Sequence, residues 1–313
     1  MNASPYSQAT ACGKAIIVGE HAVLYGVPAI AVPVFGIGTS VLIEPSDSLL
    51  LIYEDDINPS FLVGFVEKAF LLLEHKPYPV KITCDSTIPA SAGLGASAAL
   101  CTALLKALSQ FFKIHLTQLS LCEKAMVLEG YFHGKSSGLD TTVVGRREAV
   151  FFTMGQGASS FYAPAHIYEH LVLVNSGEKA STKAMIAKAK PHFSPQNLEE
   201  FNRISHQALD SMRCGDILRF GCLLNDADAR LSELGLMTPR LRLICKTARE
   251  LGAVGAKLTG KGGGGCALIL LDPRLALNQY AALVKIWGNE NVYPIQESLS
   301  LAIASRWRES VKD

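Results

Sequence analysis

The first part of the chain alternates short apolar runs with turn residues. Four runs rich in aliphatic residues are separated by Gly, Pro, Ser and Asp, which predicts four strands: AIIVG (15–19), PAIAVPV (28–34), TSVLIE (39–44) and LLLIY (49–53). The stretch FLVGFVEKAFLLLE (61–74) predicts a helix. The alternation of Val80, Ile82 and Cys84 with polar neighbours then predicts a further strand.

Helical spacing is clearest directly after a glycine-rich loop. Apolar residues recur from Ala99 to Phe112 at intervals of three and four, which predicts a helix over 96–112, and a second helix is predicted over 117–132. Strands are predicted at 148–153 and 170–177, helices over most of 181–251, and a strand pair within 257–271. The change from strand-rich to helical text predicts two domains, 1–177 and 178–313.

Composition and charge exclude several classes of partner. With 29 basic and 28 acidic residues, the formal net charge is only +1, so we expect no nucleic-acid or membrane partner and a small-molecule ligand instead. Eight cysteines are scattered without a CxxC pair, which favours reduced thiols. No signal-peptide pattern or membrane-length apolar run is present, so a cytoplasmic protein is expected.

The loop PASAGLGASAAL (89–100) suggests an anion site. Small residues let the backbone approach a ligand, and the start of a helix offers free N–H groups and a positive dipole end, which suits phosphate. Two other segments approach the Walker A pattern without matching it. Gly255-Ala-Lys-Leu-Thr-Gly-Lys is followed by Gly262 in place of Ser or Thr, and Gly134-Lys135-Ser136 has Glu129 where the first glycine belongs.

Four segments in order resemble one family, the GHMP small-molecule kinases. They are GKAIIVGEHAVLYG (13–26), the loop PASAGLGASA (89–98), HGKSSGLD (133–140) and KLTGKGGGGC (257–266). The first and third are closest to the mevalonate kinase branch, whose text includes HGxPSGxD. Short Gly/Ser patterns arise by chance, but four in the expected order do not.

The resemblance implies an α+β fold with two domains. The N-terminal domain would resemble domain 2 of ribosomal protein S5, the C-terminal domain would be ferredoxin-like, and ATP would lie in the cleft between them. It also implies ATP and Mg²⁺ as cofactors and phosphorylation of the C5 hydroxyl of mevalonate in isoprenoid biosynthesis. A homodimer is an expectation from the family alone.

The same resemblance assigns the ATP and metal sites. Phosphate-binding positions are Pro89, Gly93, Leu94, Gly95, Ala96, Ser97 and Ala98. Ser97 and Glu129 would hold Mg²⁺, which prefers carboxylate, hydroxyl and phosphate oxygens. The alternatives are that Ser97 caps the helix and that Glu129 is a solvated carboxylate at a helix end.

Two residues are expected to act on the reacting groups. Asp140 would accept or orient the proton of the substrate hydroxyl, and Lys14 would stabilise developing negative charge. Asp140 could instead be the N-cap of the TTVVG segment, and Lys14 could form a surface ion pair.

Three further residues match positions on the substrate side of the family site: Glu20, His21 and Thr182. A lone histidine is more often structural, and His133 is expected to be so. The run Gly262–Gly265 either closes over the active site, as in the family, or is only a tight turn between strands.

The chain departs from the family pattern at four positions: Cys12, Ala96, Ser136 and Lys261 replace Pro, Ser, Pro and Ala, respectively. Two other functions stay open. One is a kinase of the same fold acting on phosphomevalonate, homoserine or a sugar, and the other is a catalytically silent relative that binds ligand.

Overall fold

The computed structural model describes residues 6–53, 59–133 and 136–296. Gly134 and Lys135 of the third motif lie outside them. In chain order the elements are β1 (Ser7–Val18), β2 (Ala29–Pro45), β3 (Leu50–Tyr53), α1 (Pro59–Leu72), β4 (Val80–Ser86), α2 (Ala96–Phe111), α3 (Gln118–His133), α4 (Leu139–Arg146), β5 (Val150–Thr153), β6 (Gly157–Ser160), α5 (Ala165–Glu169), β7 (Leu171–Asn175), α6 (Thr182–Ala189), α7 (Pro195–Cys214), α8 (Ile217–Glu233), α9 (Pro239–Glu250), β8 (Gly255–Thr259), β9 (Cys266–Leu270), α10 (Ala276–Trp287) and β10 (Val292–Pro294).

One compact unit comprises residues 1–14, 37–89 and 95–148. In its sheet, β4 pairs in parallel with β3 and antiparallel with β2, whose Thr39 lies opposite Ser86 and whose Pro45 lies opposite Val80. Helix α2 packs against α3 and α4. Most of its side chains are buried, as expected for a helix whose sequence is mostly apolar.

The runs PAIAVPV and TSVLIE belong to one strand, β2, so the predicted break between them is wrong. Gly38 lies inside this strand, where it is required by packing and does not form a turn. A Cβ on Gly38 would lie 2.6 Å from the carbonyl oxygen of Ala11, so only glycine permits the close approach of these backbones.

The other compact unit comprises residues 15–36, 90–94 and 149–313. Its four-stranded antiparallel sheet has the order β10-β7-β9-β8. In order of occurrence along the chain these strands are the fourth, first, third and second, which is the ferredoxin-like order expected for the C-terminal domain. A buried apolar cluster that includes Val172, Leu258 and Ile269 of the sheet and Ile244 of α9 forms the core.

Residues 29–31 of β2 pair with β5, and β5 pairs with β6; these three segments also belong to the second unit. The predicted boundary at residue 177 stays a prediction. All eight cysteines are free thiols. Within the described ranges, no helix combines the length and apolarity needed to cross a bilayer.

Candidate functional site

The first unit holds a lysine against the start of α2. The N-cap of α2 is Gly95, with φ 78° and ψ 30°, so no cap side chain covers the N–H groups of the first turn, where Ala96, Ser97 and Ala98 lie. A Cβ on Gly95 would lie 2.8 Å from Cγ of Lys14. The glycine therefore lets the lysine stem cross the helix N-terminus, where anions bind.

Lys14 reaches the second predicted catalytic residue. Its Nζ lies 3.0 Å from Oδ2 of Asp140, and the exposed fractions of the two side chains are 4% and 30%. Lys14 is thus buried, whereas its partner is partly open. A surface ion pair is therefore the wrong interpretation of Lys14.

Asp140 lies in the first turn of α4, a helix that the sequence did not predict. The N-cap of this helix is Gly138, with φ 85°, and not Asp140, so the capping alternative for Asp140 is wrong. A negative charge in the first turn of a helix is stabilised by the positive end of the helix dipole. Lys14 and the start of α4 therefore both attract the carboxylate of Asp140.

Glu129 is the third charged group of this cluster. It lies near the end of α3 and is only 4% exposed, so the solvated alternative is wrong. Oγ of Ser97 donates to its Oε1 at 2.9 Å, and Oγ of Ser136 donates to its Oε2 at 2.7 Å. Ser97 thus directs its hydroxyl to Glu129 and does not cap α2.

Burial raises the pKa of Glu129 to about 7, with a further contribution from the negative charge of Asp140. The hydrogen bonds from Ser136 and Ser97 and the charge of Lys14 act in the opposite direction. Glu129, Asp140 and Lys14 therefore interact electrostatically as one cluster. A buried carboxylate of this kind is suited to a bound cation, which would supply the positive charge that solvent does not.

The predicted substrate residues lie in the second unit. Glu20 is 1% exposed and forms an ion pair with Lys257 of β8, which is fully buried. Lys257 also donates to the carbonyl oxygen of Leu258 at 2.6 Å, while Oε2 of Glu20 is buried without a hydrogen-bond partner. Lys257 is the first residue of the C-terminal glycine motif, but nothing in the sequence distinguishes a buried lysine from an exposed one.

His21 follows directly and has φ 57°. Its Nε2 lies 2.8 Å from the carbonyl oxygen of Lys261, so this nitrogen donates and carries the proton. Burial lowers the pKa of His21, against the opposing effects of the Lys261 carbonyl and Glu20. Thr182 is exposed and begins α6; among the described contacts, none joins it to Glu20 or His21.

Part of the predicted phosphate loop also belongs to this unit, namely residues 90–94. Leu94 is buried, and a Cβ on Gly93 would lie 3.6 Å from the carbonyl oxygen of Thr259. A Cβ on Gly265 would lie 2.6 Å from the carbonyl oxygen of Ala92. The C-terminal glycine motif therefore packs directly on this part of the loop.

The groups in contact with the carboxylate of Glu129 are the hydroxyls of Ser97 and Ser136. Among the described residues, no group of three or more His, Cys, Asp or Glu side chains is placed to hold a metal ion. The carboxylate of Glu129 and the hydroxyl of Ser97 nevertheless fit Mg²⁺, which commonly takes one or two protein ligands and completes its shell with water and substrate phosphates.

Comparison with protein families gives two matches in chain order. GHMP kinases N terminal domain matches residues 64–146, and GHMP kinases C terminal matches residues 199–289. The chain belongs to the GHMP kinase family. This GHMP kinase therefore has the fold expected from its four motifs, and it is an ATP-dependent small-molecule kinase.

Individual relatives of this GHMP kinase cover nearly its whole length. A mevalonate kinase of Thermococcus sibiricus is 30% identical over 320 aligned residues, with 90% of this chain and 93% of the relative covered. The crystal structure of L. major mevalonate kinase in complex with R-mevalonate is 26% identical, with a TM-score of 0.74 and coverage of 91% and 94%. Lactococcus lactis galactokinase, complexed with galactose, shares the fold at 18% identity, with a TM-score of 0.75 and coverage of 91% and 90%.

Proposed function

We propose that this protein is a mevalonate kinase, which transfers the γ-phosphoryl group of ATP to the C5 hydroxyl of mevalonate and so serves isoprenoid biosynthesis. The observation that carries the chemistry is the ion pair of buried Lys14 with partly open Asp140, beside the N-terminus of α2, whose N-cap is a glycine. The choice of mevalonate rests on the relatives with that name.

The start of α2 is the proposed phosphate site. The N–H groups of residues 96–98 lie in its first turn, and the positive end of the helix dipole attracts the anionic phosphates. Ser97 and Glu129 would hold Mg²⁺, which neutralises charge on the phosphates when bound. Lys14, whose stem lies against Gly95, adds a positive charge beside the same helix start.

Asp140 is the proposed proton acceptor. It would take the proton of the substrate hydroxyl as the oxygen attacks the γ-phosphorus, while the ammonium of Lys14 stabilises the negative charge that develops on the reacting oxygens. The 3.0 Å ion pair fixes the orientation of the carboxylate before substrate arrives. Positioning of this kind is most of what phosphoryl transfer requires from a protein.

The experiment that tests the proposal is ADP release by the purified protein with MgATP and a panel of acceptors: mevalonate, phosphomevalonate, homoserine and galactose. Turnover with mevalonate alone is the expected result. Asp140→Asn should then lower kcat by about 10²- to 10⁴-fold, the usual contribution of a general base, while ATP still binds. Asp210→Asn, at an exposed position on α7, is the matched control and should leave kcat unchanged.

Other outcomes identify the alternatives. Turnover with another acceptor would keep the kinase chemistry and reject mevalonate; the galactokinase shows that this fold alone does not decide the acceptor. No turnover with any of the four would favour the silent ligand-binding relative. The cytoplasmic location and the homodimer stay predictions.

A further inference from the structure

Both carboxylate oxygens of Glu129 are held by serine hydroxyls from different parts of the chain. Ser97, in the first turn of α2, donates to Oε1 at 2.9 Å, and Ser136, just before α4, donates to Oε2 at 2.7 Å. Glu129 is only 4% exposed, so little water competes for these oxygens. The plane of the carboxylate is therefore fixed from two sides.

The proton of Ser136 can be assigned from its second contact. The backbone N–H of Gly138 donates to Oγ of Ser136 at 3.1 Å. A backbone N–H can only donate, and a hydroxyl has a single proton, so Ser136 accepts from Gly138 and directs its own proton to Glu129. Because Gly138 is the N-cap of the helix that carries Asp140, this serine links Glu129 to the start of α4.

This contact is a property of this chain's own sequence. Ser136 occupies the position at which the HGxPSGxD pattern has proline, which has no side-chain donor. Ala96 occupies the position of the first of two paired serines in the phosphate loop, so Ser97 supplies the hydroxyl there. The second hydroxyl that donates to Glu129, that of Ser136, therefore comes from a different segment of the chain.

We propose that Ser136 is a positioning residue for the divalent cation, holding Oε2 of Glu129 so that the carboxylate is oriented before the metal binds. This inference rests on the proposed function, in which Glu129 is a metal ligand. A glutamate has three side-chain torsions, and a partner that fixes them reduces the entropy lost on binding. Partners that orient metal ligands typically contribute 10- to 100-fold to metal affinity.

The test measures metal binding directly. Mn²⁺ is titrated into the protein with saturating ADP, and free Mn²⁺ is followed by its electron paramagnetic resonance signal. Ser136→Ala should weaken Mn²⁺ binding about tenfold or more, and Ser136→Thr, which keeps the hydroxyl, should stay within about threefold of wild type. Ser109→Ala removes a hydroxyl at the far end of α2, bonded to the carbonyl of Lys106, and should have no effect.

The affinity for ADP without metal separates positioning from general damage. It should be unchanged in Ser136→Ala, whereas a merely structural role would weaken ADP with and without metal alike. Equal weakening, or Mn²⁺ affinity within twofold of wild type, would overturn the proposal. If the alanine variant does not fold, Ser136→Cys replaces it, because a thiol is a weak donor and Mn²⁺ affinity should fall by a smaller factor; wild-type affinity would again refute the role.

The outcome is independent of the acceptor, since none is present. Loss of Mn²⁺ affinity in Ser136→Ala together with no turnover of mevalonate would retain this inference and reject the substrate. Turnover of mevalonate with unchanged Mn²⁺ affinity would reject this inference alone.

Discussion

The ion pair of Glu20 and Lys257 permits a quantitative prediction about stability. Lys257 is 0% exposed and Glu20 is 1% exposed, so neither charge is screened by solvent. Lys257→Met removes the only cation shown in contact with Glu20 in the described part of the chain and leaves a buried carboxylate whose Oε2 already has no hydrogen-bond partner. Breaking one side of such a pair costs about 3–5 kcal/mol of unfolding free energy.

Replacing both charges should cost far less than the two single changes together. In Glu20→Met/Lys257→Met no charge remains buried, and apolar replacement of a buried pair is often neutral or stabilising. We therefore expect the double variant to lie within about 2 kcal/mol of wild type, although each single variant loses about 3–5 kcal/mol.

Urea unfolding of the four proteins gives the double-mutant cycle. The midpoint should fall in both single variants and recover in the double variant, with the slope m unchanged. A loss below about 1 kcal/mol in Lys257→Met would contradict the assignment of an unscreened pair, because that range belongs to exposed pairs. A double variant as unstable as the sum of the singles would also refute the reasoning.

Three further predictions concern backbone geometry and pH. Gly95→Ala should lower kcat at least about tenfold, because its Cβ would meet the Lys14 stem at 2.8 Å and disturb a charge that stabilises the transition state; unchanged kcat would contradict this. Gly264→Ala should lower the free energy of unfolding, measured by thermal unfolding, by more than about 2 kcal/mol, because φ at Gly264 is +131° and the new Cβ would lie 2.4 Å from the carbonyl oxygen of Glu178. Gly155→Ala, with open space around it, is the control and should lower the free energy of unfolding by only about 1–2 kcal/mol. The lowered pKa of His21 means that the unfolded chain binds the proton more tightly, so stability should fall as the pH drops through about 6.5. His21→Gln should show a smaller fall between pH 7.5 and 5; equal falls would refute the assignment.

The sequence predicted long periodic elements well and short irregular ones poorly. Helix α2 was predicted within one residue of its observed ends, because its apolar positions repeat over four turns. Helix α4 was missed, since it has eight residues and opens at a left-handed glycine that reads as a loop. Strand β2 was divided because Gly38 marks a close approach of two strands and not a turn.

For the candidate site, the resemblance to the family predicted that Lys14 lies near Asp140, and the two residues form an ion pair. It did not predict the hydrogen bond from Ser136 to Glu129. Spacing in a motif carries no information on which hydroxyl reaches which carboxylate oxygen, since that depends on the positions of the side chains in the folded protein. The roles of these residues stay predictions.

The contact of Ile16 with Thr259 has a consequence for biosynthesis. The N–H of Ile16 donates to Oγ1 of Thr259, whose hydroxyl donates to the carbonyl of Ile16, across 243 residues of chain. At about 5–20 residues per second on a ribosome, residue 259 is made roughly 12–50 s after residue 16. The apolar end of β1, residues 15–18, therefore leaves the ribosome long before Thr259 has been made. During that interval a chaperone that binds nascent chains would have time to bind this segment.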